Sequence, residues 1–375
     1  MEIWVVVALV VVTALVFDFT NGFHDTANAM ATSIATGALR PKVAVAVAGI
    51  LNLAGAFLSV QVAKTVAGGL VDETKITPVV VFAGLVGAIL WNLLTWLLGL
   101  PSSSSHALFG GLIGATLVVG GAGAVNVHTV LGKIILPALI SPLLAGFVAL
   151  ATTVFAYRIT RRADTRTVRR GFRLGQVVSA STVALAHGAN DAQKTMGVIT
   201  LTLITAGVLA PGSGPPVWVV LTAGVAIAIG TYMGGWRIIR TLGRRVSDIQ
   251  TTQGFTAETT SAAVILTSTH LGIPLSTTQV CSGAIFGAAA GRHTQSVHWG
   301  LAGRMAMAWA VTLPAAAAVG AAASWLAAIG TTGVIAVAVA GLTLSAVIYS
   351  ASRRSPVSAL NVNNLPVPPP AQVAA

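Results

Sequence analysis

The sequence predicts an all-α integral membrane protein, an inverted-topology repeat with broken or re-entrant helices in about 10–12 transmembrane pieces. Three observations predict it. Of its 375 residues, 55% are hydrophobic and only 8% are charged, about a third of the charge content of roughly 25% found in soluble domains. Long apolar stretches run from one end of the chain to the other. Two polar motifs interrupt them, and each occurs twice in the same order.

A hydrocarbon core about 30 Å thick needs about 20 apolar residues per helical crossing. Windows of that size select 3–38, 43–70, 78–122, 129–157, 174–209, 217–236, 256–291, 297–326 and 332–351. Several are too long for one crossing and hold Gly, Pro or polar clusters, so each is a broken helix, two crossings or a re-entrant hairpin. The first run, 3–16, has no basic flank and no cleavage signal after it, so it is expected to stay in the mature chain. From 352 to 375 the chain turns polar and rich in proline (Pro356, Pro366, Pro368, Pro369, Pro370), which reads as a disordered tail. The single cysteine, Cys281, excludes a disulfide framework and a thiolate metal cluster.

The net charge of +12 sits in loops and so orients helices in a membrane; no nucleic-acid partner is expected. Arg158, Arg161, Arg162, Arg166, Arg169, Arg170 and Arg173 surround one acid, Asp164, which marks 158–173 as a cytoplasmic basic loop. It divides a first repeat, 1–157, from a second repeat with terminal helices, 174–351. Arg237, Arg240, Arg244 and Arg245 should share its side, as should Arg40 with Lys42 and Arg353 with Arg354. Segments 174–209 and 217–236 then cross outward and return, and the parity closes.

The polar stretch Asn21-Gly22-Phe23-His24-Asp25-Thr26-Ala27-Asn28 has a counterpart 166 residues on, His187-Gly188-Ala189-Asn190-Asp191-Ala192-Gln193-Lys194. Gly99-Leu100-Pro101-Ser102-Ser103-Ser104-Ser105 matches Gly272-Ile273-Pro274-Leu275-Ser276-Thr277-Thr278 at an offset of 173, with Gly110 and Gly114 opposite Gly283 and Gly287. The first copy of the first segment ends inside at Arg40, whereas its counterpart begins inside at Arg173. The two halves are therefore read as inverted, the arrangement of alternating-access carriers whose site lies near the midplane.

Ionisable groups in apolar segments cost about 2.5–3.5 kcal/mol each even on lenient insertion scales, so a cluster of them needs partners or a task. Asp18, Asn21, His24, Asp25 and Asn28 form one such cluster, and His187, Asn190, Asp191, Gln193 and Lys194 another. Asp25 and Asp191 are the candidate coupling-ion or proton sites, since carboxylate and amide oxygens suit a cation and carboxylate with imidazole suits a proton. A structural ion pair of Asp191 with Lys194 is the competing reading for the lysine. For His24 and His187, proton handling and a structural hydrogen bond are both open. The Pro-Ser turns call for an anion, because hydroxyls and the free N–H groups of a helix start point at whatever precedes it. Ser103, Ser104, Ser105, Ser276, Thr277 and Thr278 are the candidate donors to a tetrahedral oxyanion. Neither turn contains an arginine, so a cation or proton must travel with the anion and be held by the carboxylates.

These paired motifs, Gly-x-x-Asp and Pro-Ser/Thr, resemble those of the inorganic phosphate transporter (PiT) family over about residues 15 to 290. The resemblance implies a helical inverted-repeat symporter for orthophosphate, driven by H+ or Na+, or carrying a neutral Mg-phosphate complex. It implies that Asp25, Asn28, Asn190 and Asp191 face cation and phosphate, and would ligate the metal if Na+ is the driving ion. His24 stands where the first motif usually has Asn, a form associated with proton-coupled bacterial members, and Lys194 stands opposite Asn28. Glu258, in Gly254-Phe255-Thr256-Ala257-Glu258-Thr259, matches a further family position that could serve a cation or proton.

The sequence reading is thus a multi-pass plasma-membrane phosphate symporter, with H+ preferred to Na+, no cofactor, the lipid bilayer as its medium and a homodimer as one assembly open to it. A sulfate or other oxyanion carrier and an anion channel are the alternatives within membrane transport. A membrane-embedded phosphatase or lipid transferase is the alternative as an enzyme. Against the enzyme, no Ser or Cys nucleophile lies beside a His-carboxylate pair in an accessible loop.

Overall fold

The computed structural model describes residues 2–364. Helices account for most of it: α1 Ile3–Ala35, α2 Pro41–Gly55, α3 Gln61–Gly69, α4 Pro78–Leu98 and α5 Ser104–Gly120. Then follow α6 Val127–Thr160, which includes a π-helical turn at Val130–Ile135, and α7 Thr165–Thr205. After α8 Val217–Met233, α9 Trp236–Arg245 continues at an angle of 57°. The chain ends in α10 Thr251–His270, α11 Thr277–Arg292, α12 Trp299–Ala327 and α13 Thr331–Ser352.

Among the described residues α1, α4, α6, α12 and α13 are each long and apolar enough to cross a membrane, and α8 with α9 forms a bent sixth. The remaining helices fall short on length or carry too many polar residues on their buried faces, as α7 and α10 do. That is the expected cost of building a polar site inside a membrane protein.

The long segments break where the sequence places Gly and Pro. Gly99 ends α4 at φ 65°, and Gly272 follows α10 at φ 66°, a left-handed conformation that costs glycine nothing. The Leu100 N–H then returns to the Thr95 carbonyl at 2.9 Å, and Ile273 to Ser268 at 2.9 Å. This is the six-residue closure of a Schellman cap. Ser103 and Ser276 cap the following helices by accepting from His106 N (3.2 Å) and Gln279 N (3.3 Å). The two turns share one backbone pattern, bond for bond.

Two apolar cores lie on either side of a polar belt. One holds Val6 to Phe17 of α1, the end of α7 from Ala192 to Leu203, and α4 with α5. The other holds Ala27 to Ile34 of α1, Ala180 to Ala186 of α7, and α10 with α11. So α1 and α7 cross the belt in opposite directions, and α5 and α11 start from it toward opposite sides.

Two boundaries differ from the sequence reading. The basic loop expected over 158–173 narrows to 161–164, because Asp164 caps α7 by accepting from Thr167 N at 2.8 Å. Arg166 to Arg173 are therefore helical. The tail expected to be disordered from 352 is placed as far as Asn364: Arg237 donates to the carbonyls of Ser352 and Ser355, both at 2.7 Å. Arg240 holds the Asn361 carbonyl at 2.7 Å, and Val362 is buried. A chain of unpaired carbonyls is a ready acceptor for a guanidinium cluster with few acids of its own. Pro366, Pro368, Pro369 and Pro370 lie outside the described residues.

Candidate functional site

The belt between the two cores is where the repeated motifs meet. On α1, residues 21–28 pass it, and on α7 residues 187–194 do. From opposite sides the first turns of α5 and α11 arrive with their hydroxyls. The predicted donors, carboxylates and amides are all buried, none more than 4% exposed.

Asp25 is the acceptor at the centre of one half. Ser104 Oγ donates to its Oδ2 at 2.7 Å and Thr278 Oγ1 to its Oδ1 at 3.2 Å, so both turns reach the same carboxylate. His24 Nδ1 lies 2.6 Å from the same Oδ1. Asn28, one turn along, donates from Nδ2 to Thr278 Oγ1 at 3.1 Å, while its buried Oδ1 has no hydrogen-bond partner.

Asp191 is the acceptor of the other half. Thr277 Oγ1 donates to its Oδ2 at 3.1 Å, the counterpart of Ser104 on Asp25. Lys194 pairs with its Oδ1 at 2.5 Å and also donates to Ser105 Oγ at 2.6 Å. Ser105 thereby meets α7, as Thr278 meets α1.

His187 joins the halves. Its Nε2 is 3.2 Å from Asp191 Oδ2 and 4.0 Å from Asp25 Oδ2, and its Nδ1 contacts Asn52 Oδ1 at 3.0 Å. Asp25, His187 and Asp191 each offer an atom within 4.8 Å of the others, a spacing that a single cation can span. From sequence, His187 is open between proton handling and a structural hydrogen bond. Its place four residues before Asp191 on a helix was the usable signal, since residues at i and i+4 share a face.

Two expected members stand apart. Asn190 faces the end of α10, donating to Thr269 Oγ1 at 2.9 Å, and its Oδ1 has no partner. Glu258 is held by Thr32 (2.5 Å), Ser179 (2.6 Å) and Gln176 (3.3 Å). Thr32 follows Asp25 by seven residues, so this cluster lies about 10 Å further along α1 at 1.5 Å per residue. Asp18, seven residues before Asp25 and also buried, sits about as far on the other side, beside Thr195 and Asn21. Ionisable groups therefore mark α1 at three levels.

The arrangement can receive an oxyanion between two helix starts and balance it with a cation shared by two carboxylates. Residues 21–320 match the model of the phosphate transporter family. The chain belongs to the phosphate transporter family. A Mycobacterium tuberculosis protein named a probable low-affinity inorganic phosphate transporter is 55% identical over 359 residues, 95% of this chain and 86% of that protein. A Bacillus subtilis protein of the same name is 42% identical over 318 residues, 84% of this chain and 94% of that one. Among solved structures, one titled the sodium-dependent phosphate transporter shares the fold with a TM-score of 0.78 and 22% identity, covering 87% of this chain and 99% of that one. A family of transporters, with several apolar helices in this member, makes the chain a membrane transport protein and not an enzyme.

Proposed function

We propose that this protein is a plasma-membrane symporter that moves inorganic phosphate with a proton by alternating access, the anion binding between inverted repeats at the belt. One observation carries the reading: hydroxyls from two opposed helix starts converge on Asp25 and Asp191, with His187 between the carboxylates. An anion entering there takes the hydroxyl donors, and its charge next to two carboxylates must be offset before the site can close. The offset comes from the cargo itself. That is coupling: neither ion crosses readily alone. The two apolar cores on either side of the belt are the natural gates, each opening while the other stays packed.

For the proton, the supporting contact is His24 on Asp25, since imidazole is the side chain that changes charge near neutral pH. For Na+, the competing ion, the supporting observation is the unpartnered Asn28 Oδ1 beside the same carboxylate. Purified protein in phosphate-loaded or empty liposomes, given a pH gradient or a Na+ gradient one at a time, separates them. Accumulation of labelled phosphate with acid outside and no Na+ is expected; accumulation by Na+ alone overturns the proton. Labelled sulfate that accumulates equally would make it a general oxyanion carrier.

Ser104 and Thr277 are equivalent donors on the two turns. Replacing either by Ala removes one hydrogen bond to a charged group, of the kind that contributes about 1.5–3 kcal/mol. The apparent KM for phosphate is expected to rise about tenfold or more, since 1.4 kcal/mol is a factor of ten. Initial uptake rates across a phosphate series measure this; an unchanged KM takes that hydroxyl out of the binding role.

A further inference from the structure

We infer that the Lys194 ammonium is a built-in cation. It fills, in one half of the site, the position that the other half leaves beside Asn28 for a cation that travels with phosphate. The inference rests on the symport reading above and deepens it by fixing how many cations the site takes up.

The two halves of the site match contact by contact. Ser104 on Asp25 (2.7 Å) corresponds to Thr277 on Asp191 (3.1 Å). Asn28 on Thr278 (3.1 Å) corresponds to Lys194 on Ser105 (2.6 Å). The α1 and α7 members are 166 residues apart and the α5 and α11 members 173 apart, as in the sequence match. The geometry repeats, and the chemistry changes at this position from an amide to an ammonium.

Around Lys194 Nζ stand a carboxylate oxygen of Asp191 at 2.5 Å, the Ser105 hydroxyl at 2.6 Å and the Leu275 carbonyl at 2.9 Å. Carboxylate, hydroxyl and carbonyl oxygens are the ligands a small hard cation takes from a protein. The lysine is 1% exposed and belongs to the interior of a long helix, so this side chain cannot depart with the substrate. In the other half Asn28 presents an oxygen without a partner, and among the described residues Asp25 faces the imidazoles of His24 and His187 and pairs with no Lys or Arg. One half therefore carries a fixed ammonium, and the other has only imidazoles beside its carboxylate until a cation loads.

An amide at 194 would reopen an oxygen-lined position next to a carboxylate left with only the His187 imidazole beside it, which suits Na+. Methionine would keep the length and supply no oxygen. Wild type, Lys194→Asn and Lys194→Met are compared in proteoliposomes by the steady phosphate ratio reached at a series of imposed Na+ ratios. Relative to wild type, the Lys194→Asn phosphate ratio is expected to gain one additional power of the Na+ ratio. Lys194→Met should fail to accumulate phosphate at any Na+ ratio. An inserted Lys194→Asn protein with the wild-type power, or with no Na+-supported accumulation, overturns the inference, as does Lys194→Met behaving like Lys194→Asn. Should Lys194→Asn not insert, Lys194→Gln makes the same comparison. Wild type alone gives an independent count: one coupling cation per phosphate, beyond the protons phosphate itself carries, is expected, and two overturns the inference. If wild type accumulates no phosphate under any gradient, the symport reading itself has failed.

Discussion

Asp25→Asn and Asp191→Asn are each expected to abolish phosphate accumulation while the protein still inserts. The amide keeps the size of the side chain and one accepting oxygen: Thr277 can still donate to residue 191, and of Ser104 and Thr278, which use different oxygens of Asp25, one keeps its acceptor and the other can accept from the new NH2. What disappears is the charge. At Asp25 that charge would hold the travelling cation, and two unit charges about 4 Å apart interact by about 4 kcal/mol at an effective dielectric of 20, close to a thousandfold in occupancy; at Asp191 it is the counter-charge that keeps the Lys194 ammonium in the site. The two variants should differ in stability. Asp191→Asn leaves the buried Lys194 without its counter-charge, and breaking one side of a buried pair costs about 3–5 kcal/mol. Asp25→Asn strands no cation of that kind. Thermal unfolding in detergent should therefore fall clearly for Asp191→Asn and less for Asp25→Asn, with labelled phosphate uptake absent from both. Normal accumulation by either variant at matched membrane abundance removes that carboxylate from the coupling role.

Much of this site was legible because its chemistry is repeated. A Pro-Ser turn or a Gly-x-x-Asp alone is common in an Ala- and Gly-rich chain, but two of each at fixed offsets single out the residues that meet. That Ser104 donates to Asp25 and Thr277 to Asp191 comes from the structure, which puts the two contacts at equivalent places in the repeats. Which hydroxyl binds and which one caps is likewise not set by the offsets. Ser103 and Ser276 spend their oxygens on His106 N and Gln279 N, a choice set by the φ and ψ of a single residue. Asn190 illustrates a different limit: it neighbours Asp191 in the chain, yet a helix turns successive residues by about 100°, and it faces Thr269 instead. Glu258 could be recognised as buried and polar, but its level along α1 depends on how α10 packs, which no local pattern encodes. The basic loop was misjudged in extent because charge orients a segment without saying whether it is helical, and Asp164 supplied a cap that extends α7 into it.

The same repeat explains a packing arrangement on which the site depends. α5 lies on α12, and α11 lies on α6, so each Ser/Thr helix is backed by a helix far from it in sequence. Gly110-x-x-x-Gly114 and Gly283-x-x-x-Gly287 are the surfaces that allow it. A Cβ on Gly114 would come within 1.9 Å of the Ala317 carbonyl oxygen, and one on Gly287 within 1.9 Å of the Gly146 carbonyl oxygen. Small residues at four-residue spacing let helix backbones approach this closely in a membrane. Gly287→Ala is therefore expected to destabilise, although Ala is favoured over Gly in a helix by about 1 kcal/mol. The obstructing atom is backbone, so α11 or α6 must shift as a body; overpacking of this sort costs about 1–3 kcal/mol and sometimes more. The shift also reaches the site, because Thr277 and Thr278 sit on the first turn of α11 at 3.1 and 3.2 Å from their carboxylates. Such contacts cease to be hydrogen bonds by about 3.6 Å. A lowered unfolding temperature together with a raised KM for phosphate is the expected pair of results. Gly303→Ala, where an added Cβ meets nothing within 4 Å, should change neither. If Gly287→Ala matches Gly303→Ala in both measurements, close packing of α11 on α6 is not what holds the hydroxyls in place.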